Sequence, residues 1–163
     1  MTEQGMISPE AMAWIGHQYA EKKVLVREDD IMRFLHAIRE PTDDLKSSGL
    51  VDDDGVLVAP PLFYVYLRNL PFQTVALDDL GEDGYVAEEL PPLPVTRGMA
   101  GEIFVEFGRP IRAGDEVTVR KRLTGLQEKS GRSGPFVVVG FETEMLSASG
   151  ELLAREQFGR IMR

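Results

Sequence analysis

Two adjacent prolines, Pro60 and Pro61, and the run Leu62-Phe63-Tyr64-Val65-Tyr66-Leu67 behind them constrain this chain more than any other stretch. Proline suits the first turn of a helix, where its missing N–H would have gone unused. In the helix that follows, Leu62, Phe63, Val65, Tyr66 and Leu70 cover much of the circumference, so it has to be buried on several sides. The second half of the chain supplies the enclosure. From Ala100 onward the apolar period shortens to two: Ile103, Val105 and Phe107 alternate with Glu102 and Glu106, and Val117, Val119 and Leu123 with Glu116, Thr118, Arg120 and Arg122. Phe136 to Met145 and Leu152 to Met162 read as two further strands. Turn residues separate the four, at Arg112-Ala113-Gly114-Asp115, at Glu128 to Gly134 and at Ser147-Ala148-Ser149-Gly150. Connections this short favour antiparallel pairing of successive strands. The expected architecture is α+β, a twisted antiparallel β-sheet wrapped around a central α-helix.

The first half reads as helices and one short strand. Ser8-Pro9-Glu10 offers a capping hydroxyl and a proline at the first helical position, opening a short helix to about His17 or Tyr19. Val24-Leu25-Val26 is a brief strand. Glu28 to Ile38 is an amphipathic helix with Ile31, Met32, Leu35 and Ile38 on one stripe, ended by Pro41. Lys46 to Gly55 reads as a polar loop. Arg68 to Met99 is long and irregular, and a connection of that length is usually a functional flap or a mobile loop. The 163 residues are expected to form a single domain, 1–163.

Composition removes several classes of function. With no cysteine, disulfides, thiolate metal sites and thiol nucleophiles are excluded. A net charge of −9 argues against nonspecific nucleic-acid binding. No apolar run approaches a membrane span, and the N-terminus has no signal-peptide character, so the expected location is cytoplasmic. Charge is unevenly placed: Leu77 to Leu90 is acidic, whereas Arg109 to Arg132 carries seven bases. Such a basic segment either meets an anionic small molecule or forms solvated outer strand faces.

Individual candidates divide between chemistry and plain structure. His17 and His36 are the only imidazoles, and their spacing makes neither a metal site nor an oriented base. Asp43, Asp44, Asp52, Asp53 and Asp54 lack calcium-loop spacing and read as solvated loop acids. Gly131-Arg132-Ser133-Gly134-Pro135 lies between two strands and reads as a hairpin loop, not a nucleophile elbow.

Ala59-Pro60-Pro61, Gly101 to Phe107, Arg109 to Asp115, Lys129 to Pro135 and Gly150-Glu151-Leu152-Leu153-Ala154, in this order and spacing, resemble the N-terminal domain of MaoC-like dehydratases, the FAS1-like dehydratase domain with the hotdog fold. The resemblance implies an (R)-specific enoyl-CoA hydratase or 3-hydroxyacyl-CoA dehydratase of fatty acid metabolism. Acyl-CoA is then the substrate or ligand, with no further cofactor and no metal. It also implies where the chemistry should sit, and there the sequence departs from the family. The family places D-x-N-P-x-H ahead of the central helix and a glycine N–H at the start of that helix. Anchored on Pro41, the motif's Asp falls on Ile38 and its His on Asp43, while the glycine falls on Pro61, which has no N–H to give. Isoleucine cannot carry a proton, and Asp43 remains the one weak catalytic candidate. The implied reading is a degenerate subunit, in a homodimer or in a heterodimer with a catalytic MaoC-like hotdog that would be a separate chain. Tyr64, Tyr66 and Phe63 are candidates to line the acyl pocket and Lys129 and Arg132 to hold a CoA phosphate, against core packing and ordinary surface charge as the plain alternatives. Two other readings stay open: a stand-alone acyl-CoA thioesterase using Asp43 or Glu40, and a non-enzymatic acyl-CoA-binding dimer.

Overall fold

The alternation that begins near residue 100 becomes four long strands, seen in a computed structural model that describes residues 5–69, 78, 80 and 90–163. They are β2 (Gly98–Phe107), β3 (Glu116–Gly131), β4 (Gly134–Leu146) and β5 (Leu152–Met162). With the short β1 (Lys22–Leu25) they form one five-stranded sheet in the order β1-β3-β4-β5-β2, every neighbouring pair antiparallel. The expectation that successive strands are neighbours holds for β3-β4-β5 and fails for β2 and β3. The Gly108–Asp115 connection is a crossover along the end of the sheet, not a hairpin. Its backbone is passed from one support to the next: Gly108 and Arg109 donate to Leu153 and Leu152, Ala113 to Leu57, and Gly114 to Val26. Satisfying those backbone groups carries the chain from the β5 side to the β1 side. The β3–β4 turn is tighter than expected, since pairing continues to Gly131↔Gly134.

The helices follow local rules. Ser8 caps α1 (Pro9–Met12), its hydroxyl accepting the Ala11 N–H at 3.1 Å, but the helix stops after four residues, well short of His17. Gly16 takes a left-handed conformation and its N–H goes to the Leu123 carbonyl, so the chain is turned onto the sheet. The amphipathic helix α2 (Glu28–Ala37) buries Ile31 and Leu35. It ends before Pro41 in a Schellman-type turn: Glu40 N–H donates to the Leu35 carbonyl at 2.9 Å and Arg39 N–H to that of His36 at 3.1 Å. Arg39 sits where glycine is usual, with φ of 59°. The loop acids beyond it are not simply solvated. Asp44 caps the Ser47 N–H, and Asp52 Oδ1 accepts from Asp54 and Val56 N–H, closing the turn between Val51 and Leu57.

The central helix α3 (Phe63–Asn69) buries Phe63, Tyr64 and Leu67 against the inner face of the sheet. Strand register sets that face out in rows. Val119, Met145, Ala154 and Phe107 form one row, Lys121, Thr143, Glu156 and Val105 the next, and Leu123, Phe141, Phe158 and Ile103 the one after. Past the third row Gly125, Gly140 and Gly159 pair across three strands, and a Cβ on Gly101 would stand 2.6 Å from the Gly159 carbonyl oxygen. The β-bulges between Ala100 and Ile103 and between Leu123 and Gly125 fall in the same band. Bulges and glycines let strands bend sharply and approach closely, and here they curl the sheet around its helix.

A left-handed residue other than glycine costs about 1–2 kcal/mol, partly offset by glycine's greater unfolded-state freedom. Arg39→Gly is therefore expected to stabilise the chain by up to about 1 kcal/mol, read as a rise of roughly 2–4 °C in a thermal melt.

Candidate functional site

The chain's own helix start is poorly equipped for acid–base work. The Phe63 N–H donates to the Pro60 carbonyl at 2.9 Å, while Pro60 and Pro61 have no N–H to direct outward. Ile38 stands at the C-cap of α2, 47% exposed. Asp43 is exposed on the loop that follows, and among the described residues no hydrogen bond orients it. A base without an orienting partner is a poor catalyst. Nearby, His36 Nε2 lies 3.4 Å from the Thr42 hydroxyl at the surface.

A second constellation lies on the inner face, in the polar row beneath α3. Glu156 is 2% exposed, and Arg68 on the last turn of the helix places Nη1 2.7 and 2.6 Å from its two oxygens. Tyr64, one turn earlier, donates its hydroxyl to the same carboxylate. Burial first and the Glu156 bond second push that hydroxyl up to about 12. Thr143 and Lys121 continue the row on β4 and β3. The next row is aromatic: Phe141 and Phe158 stack with centroids 6.3 Å apart, Lys121 lies over Phe141 at 4.9 Å, and Arg68 and Arg160 lie 6.0 and 5.9 Å from the Phe158 centroid. The inner face is thus apolar toward both ends and charged across one row.

The residues singled out from sequence separate in space. Tyr64 belongs to the charged row and also touches Phe107 of β2, ring centroids 5.8 Å apart. Phe63 is fully buried between Phe34 and Tyr66. Tyr66 bonds Asp30 of α2, and burial followed by that bond raises its pKa. Lys129 and Arg132 are at the β3–β4 hairpin, with Lys129 eight residues, or roughly 27 Å, along β3 from Lys121. Sequence reading missed Arg68, Lys121 and Glu156. The available signal was parity: Glu156 falls between Ala154 and Phe158, where alternation demands an apolar residue. A separate cavity of ≈ 460 Å³, lined by Glu28, Leu45, Val51, Leu57, Ala113 and neighbouring residues, includes none of these side chains.

Removing one member of a buried pair strands the other charge. Arg68→Met is expected to cost about 3–5 kcal/mol. Glu156→Leu should cost less, since Arg68 keeps 26% of its side-chain surface in water. The double variant should recover most of the loss, and urea unfolding of the set reads all three.

Comparison with known proteins fits this architecture. Residues 13–156 match the family model described as FAS1-like, dehydratase domain region. Over 141 residues the chain is 32% identical to the mesaconyl-C(4)-CoA hydratase of Chloroflexus aurantiacus. That alignment covers 84% of this chain and 46% of the relative, so the chain spans about half the length of the curated relative. Among solved structures, the MaoC-like dehydratase from Rhodospirillum rubrum superposes with a TM-score of 0.60 at 16% identity, covering 91% of each chain. The 3R-hydroxyacyl-ACP dehydratase complex HadBC, C-terminally truncated, from Mycobacterium tuberculosis gives 0.61 at 17%, covering 91% of this chain and 96% of that one. No helix among the described residues is long and apolar enough to cross a membrane. The strand order, the helix the sheet encloses and the family match over most of its length establish that the chain belongs to the FAS1-like dehydratase domain family of MaoC-like hotdog proteins.

Proposed function

We propose that this chain is the non-catalytic hotdog of an acyl-CoA hydratase or dehydratase, and that a second hotdog supplies the acid and base. The observation that carries the reading is an intact hotdog sheet and central helix, with proline at the helix start and isoleucine at the end of α2, in the positions where MaoC-like enzymes place a donor and an Asp. Lost donors and bases are not recovered by packing, and each contributes orders of magnitude to rate.

The outer edge of the sheet supports a partner. β2 is ten residues long, has no strand on its outer side among the described residues, and leaves Met99, Ile103, Phe104 and Phe107 exposed, Phe104 by 59%. Long apolar edges invite another strand. Phe107 on that edge touches Tyr64, so a sheet joined there would close over the end of the charged row. The similarity to HadBC, a two-subunit complex, points the same way. Acyl-CoA is the proposed ligand, in keeping with the hydratase relative, and no other cofactor is invoked.

The test is hydration of crotonyl-CoA, followed as loss of enoyl absorbance, by the chain alone and by the chain co-expressed with a catalytic MaoC-like hotdog from its own genome. The expected outcome is a stable complex at least about 100-fold more active than this chain alone. Phe104→Lys should weaken the complex about tenfold or more in sedimentation. Equal activity from the isolated chain would overturn the reading.

A further inference from the structure

The outer face of the sheet carries a row whose charges alternate from one edge to the other. Glu21, just ahead of β1, pairs with Arg120 of β3 at 2.7 Å. Arg120 stands opposite Glu144 of β4 in register, and Arg155 of β5 takes Glu144 at 3.0 Å and Glu106 of β2 at 2.8 Å. The order is acid, base, acid, base, acid, and it stops on the β2 edge with an acid. Glu106 keeps 62% of its side-chain surface in water, and among the described residues only its Oε2 is engaged, by Arg155. Glu102 is exposed on the same strand, on the face of Phe104 and Glu106 by alternation, and has no ion pair among the described residues. We propose that this edge takes a hotdog of different sequence whose own edge strand carries Lys or Arg opposite Glu102 and Glu106, and that the two acids keep the chain from pairing there with its own copy. The inference rests on the partner reading above and specifies that partner.

Register disfavours the self-pair. When two copies of one strand meet antiparallel about a two-fold axis with both helices on one side of the joined sheet, outer residues face outer residues. Three centres pair most of residues 102–107. With Phe104 opposite its own copy, Glu102 faces Glu106 at both ends, roughly 5 Å apart. With Ile103 at the centre, Glu102 faces Phe104 and has Glu102 and Glu106 of the other copy on its diagonals, roughly 7 Å away. With Val105 at the centre, Glu106 takes that place. Like charges so placed destabilise a strand pair, and the net charge of −9 on each copy adds to the repulsion. A basic partner strand removes this cost and keeps the apolar gain. Phe104 lies between the two acids, where the long stems of Lys or Arg would cover its ring, and Ile103 and Phe107 point to the opposite face. Acids placed only to keep other strands away do not account for exposed phenylalanines on both faces beside them.

The test is sedimentation of the wild-type chain, of Glu102→Lys with Glu106→Lys, and of their equimolar mixture. The mixture is expected to form a one-to-one dimer about tenfold tighter than either chain forms with itself, and to loosen as salt is raised. Glu102→Gln with Glu106→Gln removes the repulsion without adding attraction, and should self-associate about threefold more tightly than the wild type. In complex with a catalytic MaoC-like hotdog from its own genome, the Lys pair should weaken binding about tenfold and the Gln pair less. A mixture no tighter than either chain alone would overturn the inference and leave the hydratase reading standing, as would a partner complex indifferent to the Lys pair. Failure of the wild type to bind any catalytic hotdog, while the mixed copies still pair, would overturn the hydratase reading and leave the charge preference of this edge.

Discussion

The contact between Arg68 and Glu156 joins the two halves of this fold. α3 is only seven residues long, too short to persist by its own hydrogen bonds, so its position depends on what it packs against. Apolar contacts from Phe63 and Leu67 hold it to the sheet without fixing its rotation, because such contacts are non-directional. The ion pair is directional. Two donors from the helix, the Arg68 guanidinium and the Tyr64 hydroxyl one turn earlier, converge on one carboxylate from β5 and leave the helix a single orientation. Specificity of this kind has an energetic cost, which fits a face whose geometry matters more than its stability.

The sheet meets the helix halfway. Bent along the band of Gly125, Gly140, Gly159 and Gly101, it brings its third row around toward α1 and the residues that follow it: Trp14 and Tyr19 pack in the same apolar cluster as Leu123, Phe141 and Met162. Without the bend, the charged row would lie open along its length. With it, the row is enclosed toward β1 and stays nearest the surface toward β2, where Val105 and the half-exposed Phe107 form the edge.

Much of this was legible in the sequence. The period-two segments became strands, β4 within two residues of its expected ends and β5 at them, because one buried face dictates alternation, whereas β3 runs on to Gly131 through residues that read as a turn. The amphipathic stripe of Glu28 to Ile38 became α2 within one residue. The strand order was not legible. Arg112-Ala113-Gly114-Asp115 has turn chemistry whether it joins neighbours or ends a crossover, and only the carbonyls of Leu152, Leu153, Leu57 and Val26 decide between them. The loop acids Asp44 and Asp52 were underestimated because local capping depends on backbone geometry that spacing does not reveal. Lys121 was hidden by its neighbours: Arg120 and Arg122 point outward to Glu21 and Glu142, and a run of three bases reads as one solvated face although its middle member faces in. Of the irregular run from Arg68 to Met99, only Arg68 and Asn69, which belong to α3, residues 78 and 80, and those from 90 onward are among the described residues.

The departures at the helix start and the charge on the inner face have a common logic. An enzyme that must position its own acid, base and carbonyl donor at one end of a helix cannot let the rest of that helix drift; this chain fixes its helix with the Arg68–Glu156 pair although Pro61 has no N–H and Ile38 no proton to give. Structural need alone does not explain that pair, because a neutral, well-packed row would hold a purely structural helix at least as firmly. A wall that must present fixed charge to something lying against it does explain it. On the proposed reading, acid–base chemistry resides in the partner hotdog, and this chain keeps the part of the task that needs rigidity instead of proton transfer: a surface with one cationic row, held by Glu156 and reached beside the β2 edge.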